Sequence, residues 1–125
     1  MKMVRTQISF KDARGSIRDI LDGVALDAIT LIISKKGVVR GNHSHKKTTQ
    51  YLYVLSGRVR YLSRKGTGKV RSAILGPGDL AMSPPGEAHA IVSLRASTFL
   101  AISHGPRHGR NYEADTFRLV RPLAA

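Results

Sequence analysis

Cysteine and tryptophan are absent from this 125-residue chain, and acids are scarce, with 8 Asp and Glu against 21 Lys and Arg. Without cysteine there is no disulfide, thiolate zinc site or thiol nucleophile, so metal or proton-transfer chemistry falls to histidine, carboxylate and amide groups. A reducing, cytoplasmic compartment suits such a composition. No run approaches the ~20 apolar residues needed to cross a bilayer, and the opening MKMVRTQISF lacks the apolar core and small-residue cleavage site of an export signal. The expectation is a soluble protein with no membrane partner. The shortage of acids leaves a formal charge of +13, a field that draws phosphate-bearing ligands, nucleic acid or acidic surfaces. No recognition helix or stacking aromatic motif accompanies it, so nucleic acid is disfavoured and a small anionic molecule is the expected partner.

The 3.6-residue periodicity of a long amphipathic helix is also missing. What remains is about eight to ten short apolar runs punctuated by glycine, proline and asparagine, which predicts an all-β sandwich or barrel. A chain of this length buries roughly two thirds of its unfolded surface and needs no staples, so residues 1–125 are expected to form one domain. Val4 to Phe10 is expected as a single opening strand, Ser16 to Leu21 as a second after the Asp12-Ala13-Arg14-Gly15 turn, with one or two turns of helix as the alternative on the Ile17, Ile20, Leu21, Val24 spacing, and Ala28 to Ser34 as a third. Val59 to Leu75 reads as a hairpin with basic residues on one face and at its RKGTGK tip. Thr98 to Ser103 reads as the last core strand, and Phe117 to Val120 as an edge strand or a segment packed on a partner.

Candidate chemistry concentrates in Gly37 to Gly57, GVVRGNHSHKKTTQYLYVLSG. His43 and His45 are two apart, so in an extended segment both imidazoles leave one face and can converge on an ion or a substrate. After a polar turn at Lys46 to Thr49, residues 50–55 read as a strand whose Gln50, Leu52 and Val54 share a face. If the turn folds this strand back beside the first, Gln50 comes near the histidines while Leu52 and Val54 continue as apolar interior. Tyr51 and Tyr53 then point away, into packing or a dimer contact. Arg40 either holds an anionic group beside the histidines or caps the strand edge. A second stretch, GPGDLAMSPPGEAHAIVS from Gly76 to Ser93, has turns at both proline-glycine clusters and places His89, Ile91 and Ser93 on one face. His104 and His108 fall in a polar, glycine-rich loop and read as solvated.

Together the two stretches resemble the cupin family. The first runs Gly37-x5-His43-x-His45-x4-Gln50-x6-Gly57, with glutamine where the family has glutamate; the second runs Gly78-x5-Pro84-x-Gly86-x2-His89-x3-Ser93. The resemblance implies a jelly-roll β-barrel (double-stranded β-helix), commonly dimeric. It also implies a divalent-metal site from His43, His45, Gln50 and His89. Zn, Fe, Ni or Mn come into question, although loss of the carboxylate weakens the site for Mn and Fe. A finer resemblance joins Arg40-Gly41-Asn42-His43-Ser44-His45-Lys46 and Gln50 to the RGxHxHK…Q signature of cupin sugar-nucleotide 3,4-ketoisomerases, whose opening is also similar to Asp12-x-Arg14-Gly15. In that group histidines move protons through an enediol without an essential metal. A polysaccharide-biosynthesis cupin group with an RGNHxH stretch binds zinc but keeps the glutamate. The resemblance therefore implies a sugar isomerase or epimerase with His43 and His45 catalytic and Arg40 on the substrate. The alternatives are an iron-dependent dioxygenase or a non-catalytic binding cupin.

Overall fold

The computed structural model describes residues 1–107 and 109–125. Among them are twelve strands: β1 (Lys2–Arg5), β2 (Ile8–Asp12), β3 (Gly15–Arg18), β4 (Ala28–Ser34), β5 (Val39–Ser44), β6 (Thr49–Ser56), β7 (Val59–Lys65), β8 (Arg71–Leu75), β9 (Asp79–Ser83), β10 (Glu87–Ser93), β11 (Ser97–His104) and β12 (Phe117–Arg118). A single turn-and-a-half helix, α1 (Gly109–Ala114), precedes the last of them. No described helix is long and apolar enough to cross a membrane. One five-stranded antiparallel sheet has the order β1-β9-β6-β11-β4, another β12-β5-β10-β7-β8, and β2-β3 forms a separate hairpin. From β4 to β7 the chain changes sheet at every strand, and again from β8 to β11, as a jelly roll requires.

Alternation along the strands builds the core. Leu52 and Val54 on β6, Val59 and Tyr61 on β7, Ile91 on β10 and Phe99 on β11 all point between the sheets and are buried together. As expected, Tyr53 leaves β6 on the opposite side; its 6 % exposure shows packing there.

Three expectations are corrected. The opening segment is two strands, because the Thr6 amide and hydroxyl both donate to the Gly78 carbonyl, at 3.0 and 2.6 Å, and the chain then leaves the sheet for the hairpin. The strand count exceeds ten for this reason and because Phe117–Arg118 adds an edge strand to β5. Finally, the turn after His45 does not fold Gln50 back beside the histidines: β6 pairs with β9 and β11, while β5 pairs with β10 and β12. Gln50 approaches from the facing sheet, across the barrel. A polar strand-turn-strand signal in sequence cannot distinguish a hairpin from a crossing between sheets.

Candidate functional site

The site begins with a bulge. Arg40 pairs with Ile91 and His43 with His89, so a step of three residues along β5 matches a step of only two along β10. Simple alternation would send Arg40 and His43 to opposite faces. The extra residue at Gly41-Asn42 brings both to the cavity-lining face, His43 half-buried and Arg40 exposed at the cavity mouth, which is what a β-bulge does beside a functional site. Glycine and asparagine are the residues that tolerate the backbone this needs: φ is +89° at Gly41 and +57° at Asn42. A Cβ on Gly41 would also stand 2.9 Å from the His89 carbonyl oxygen. The Asn42 side chain accepts from the Leu123 amide at 2.8 Å and donates to the Ala124 carbonyl at 2.9 Å, binding the tail to the bulge.

Beyond the bulge, His43, His45 and His89 form a triangle with ring centroids 4.7, 4.8 and 5.6 Å apart. One nitrogen from each lies within 4.8 Å of the others. His89 is 1 % exposed, His45 3 %, and His43 half-buried. Tyr61 stacks against His89 from below and bonds its hydroxyl to Ser83. Burial pushes His43 down to about 4, with the neighbouring His45 and Arg118 adding to it. Burial likewise pushes His89 down to about 3, helped by the other two histidines. Both are neutral imidazoles at neutral pH, each with a lone pair for a metal or a proton.

Asp115 holds His45 in place. Its backbone carbonyl accepts the His45 Nδ1 hydrogen at 3.0 Å, which selects the tautomer with a free lone pair on Nε2. Its carboxylate accepts from the Lys46 and Lys47 amides at 3.0 Å and from the Thr48 hydroxyl at 2.7 Å, pinning the loop that follows. Burial works to raise the Asp115 carboxyl, but these donors outweigh it and keep it below the usual range.

A cavity of about 250 Å³ opens onto His43 and His89 and is also lined by Gln50, Arg40, Arg107 and Tyr112. No carboxylate lines it among the described residues. Arg40 is steadied by the Ser34 hydroxyl at 3.3 Å. The Arg107 guanidinium lies 4.6 Å from the centre of the Tyr112 ring and bonds Thr30 at 3.3 Å; Tyr112 in turn stands 5.5 Å from the His45 ring. The five sequence candidates thus meet in one place, four of them on the cavity wall. Arg107, Tyr112 and Asp115 were missed, for they sit in and beside a helix too short to show periodicity. His104 is solvated as expected and pairs with Asp27 at 3.0 Å; His108 lies outside the described residues.

The donor set fits a divalent ion of borderline softness. Three histidines converge, His45 Nε2 and His89 Nδ1 are buried without a partner, and an amide side chain lines the same cavity.

The sequence pattern of the Cupin domain family matches residues 30–103. Among curated proteins none matches the sequence. Solved structures share the fold at low identity. A 3,4-ketoisomerase from Helicobacter canadensis has a TM-score of 0.79 and 19% identity, over 94% of this chain and 90% of that one. QdtA, a sugar 3,4-ketoisomerase from Thermoanaerobacterium thermosaccharolyticum in complex with TDP, has a TM-score of 0.78 and 19% identity, over 95% and 88%. The dTDP-6-deoxy-D-glucose-3,5-epimerase RmlC from Legionella pneumophila, in complex with dTDP-4-keto-L-rhamnose, has a TM-score of 0.77 and 17% identity, over 98% and 78%.

Proposed function

The chain belongs to the cupin domain family, and from that premise we propose that it is an isomerase or epimerase of a nucleotide-linked or phosphorylated sugar, a cytoplasmic single-domain enzyme. The observation that carries this reading is the cavity itself, in which neutral histidines and two guanidiniums face a space without carboxylates. Such a wall favours an anionic ligand and supplies proton acceptors next to it. At about 250 Å³ the space lies below the usual ligand pocket of roughly 300–1,000 Å³, so it takes the sugar ring and leaves a nucleoside outside.

Arg40 and Arg107 hold the phosphate end of the substrate. His43, neutral at working pH, removes the proton on the carbon beside the keto group; the C–H electron pair becomes the carbon–carbon double bond, and the keto oxygen takes a proton to give an enediol. Return of a proton to the former keto carbon, with loss of the hydroxyl proton from its neighbour, moves the carbonyl by one position and consumes nothing. His45, fixed by Asp115 with Nε2 free, is placed to serve as the second proton carrier. In the alternative arrangement, the lone pairs of His43, His45 and His89 with the Gln50 amide oxygen would hold a divalent ion that supplies Lewis-acid polarisation of the keto oxygen, and a histidine so engaged would not take the proton.

Incubation with dTDP-4-keto-6-deoxyglucose in deuterium oxide tests the reading. Proton NMR is expected to show deuterium entering at C3 or C4, slowed at least about 100-fold in His43→Asn. Absence of exchange at both carbons, by folded wild-type protein with and without added zinc, overturns it.

We also propose that the protein is a homodimer. β4 exposes Ile29, Leu31 and Ile33 at 65, 58 and 73 %, a continuous apolar row on a sheet edge. The β2-β3 hairpin exposes Ile8, Phe10 and Ile17. A two-stranded hairpin with its apolar residues in water is marginal alone, and a second copy offers both surfaces a cover.

A further inference from the structure

The proposed chemistry uses two or three cations and leaves most of the +13 charge without a role. Much of that surplus lies in one place. The β7-β8 hairpin carries Arg58, Arg60, Arg64, Lys65, Lys69 and Arg71 and no acid between them. Arg95 joins them at the hairpin's base, where its amide and that of Leu94 donate to the Arg58 carbonyl. None of these seven forms an ion pair with a described residue.

Their arrangement is linear. Val59, Tyr61 and Ser63 are buried in the barrel, so Arg58, Arg60, Leu62 and Arg64 share the outer face of β7. At about 3.3 Å per residue this row runs roughly 20 Å. Across the strands, Arg60 is flanked by Val92 and Ile74, and Leu62 by Ala90 and Ser72, which place no carboxylate against the arginines. The acids near the ends are engaged elsewhere: Glu87 is 6 % exposed and pairs with the Met1 amino group, and buried Asp79 pairs with Arg5 at 3.0 Å. Each end leads to a recess, one of about 610 Å³ lined by Lys65, Lys69 and Arg71 with the Met1-paired Glu87, the other of about 450 Å³ lined by Arg58 and Arg95 with the Arg5–Asp79 pair, so cations outnumber acids in both.

We propose that this face binds the phosphate backbone of duplex nucleic acid without regard to sequence, as a function separate from the histidine cavity. A single-file row of unpaired guanidiniums matches a chain of phosphates, to which arginine bonds bidentately. The outer face of β7 presents no aromatic side chain on which unpaired bases could stack, which sets single strands aside. Among the described residues no element is shaped to enter a groove and read base edges, so affinity comes from counterion release alone. Leu62 and Val92 are half-buried and Ile74 is 37 % exposed, so the apolar side chains among the arginines offer less to insert into lipid than the guanidiniums offer to phosphates. The sequence alone discourages nucleic acid for want of a recognition helix; a backbone-only contact requires none.

Fluorescence anisotropy with a labelled mixed-sequence duplex of about 24 base pairs, read between about 50 and 200 mM salt, decides the matter. Wild-type protein is expected to bind, with log K falling steeply against log salt. The combination Arg60→Glu, Arg64→Glu, Lys69→Glu is expected to weaken binding at least tenfold and to flatten the slope by roughly 0.9 per lost contact. The milder Arg60→Gln, Arg64→Gln, Lys69→Gln set should follow the same order with an unchanged melting temperature. Lys2→Glu with Lys11→Glu, on the other sheet and the opening hairpin, should change affinity less than about threefold. Equal loss in both charge-reversed proteins overturns the proposal, because net charge then explains the binding. Absence of duplex binding overturns it as well, as does tighter binding to single strands or to phosphatidylserine vesicles.

Discussion

At the scale of single residues, the histidines set the pH behaviour. Folded His43 and His89 take protons only near 4 and 3, whereas the unfolded chain takes them near the ordinary 6.5. Between those values the unfolded state binds more protons, so stability is complete above about pH 7 and declines as the pH falls through 6.5 towards 3. Urea midpoints should therefore drop from pH 7.5 to pH 5, and His89→Gln should flatten that dependence. Gln50 tests the proposed metal site. Placing a carboxylate there restores a charged donor opposite three imidazoles, so Gln50→Glu is expected to raise zinc affinity at least tenfold by calorimetry; an unchanged affinity would mean that Gln50 does not face the ion. His43 and His45 were legible from their spacing, whereas the closeness of His89 came only from the resemblance to cupins and that of Gln50 from a turn that the structure builds differently. Arg107 and Asp115 were not, since an arginine and an aspartate in a polar tail look like any solvated pair until the tail is seen crossing the barrel mouth.

Among the elements, the β5 bulge does the most. The resemblance-bearing run Arg40-Gly41-Asn42-His43 reads as a motif, but its physical content is an extra residue that brings an arginine and a histidine three positions apart onto one face. Period-two reasoning placed His43 with His45 correctly and could not place Arg40, because a bulge leaves no mark on hydrophobic alternation. Gly41→Ala combines a left-handed backbone with a methyl group pressed against β10. It is expected to cost about 1–3 kcal/mol in chemical denaturation and to lower proton exchange on the keto sugar more than the lost stability explains. Retention of full exchange would show that β5 can shift without disturbing the histidines. The core strands β6, β7, β10 and β11 were legible for another reason: each is a short apolar run rich in β-branched or aromatic residues between turn signals, although only β7 alternates cleanly while β6 and β10 bury successive residues.

The whole molecule pairs a buried site with two unfinished surfaces, one apolar and one basic, on opposite sheets. The apolar row on β4 is expected to close in a dimer, giving about 27 kDa by light scattering from the 13.6 kDa chain; Leu31→Lys, which puts a charge at its centre, should yield monomer with the cavity intact. The all-β class followed from composition and turn spacing, whereas the pairing of strands did not, because which sheet a strand joins depends on contacts far apart in the chain. Distance along the chain has a further consequence at Asp115. During synthesis every strand that lines the cavity leaves the ribosome before the residue that fixes His45, some 70 positions after it. A nascent barrel therefore carries its imidazoles with one ring still free to turn, and the arrival of Asp115 acts as an ignition key: only then is the His45 ring locked with its free nitrogen towards the other two histidines.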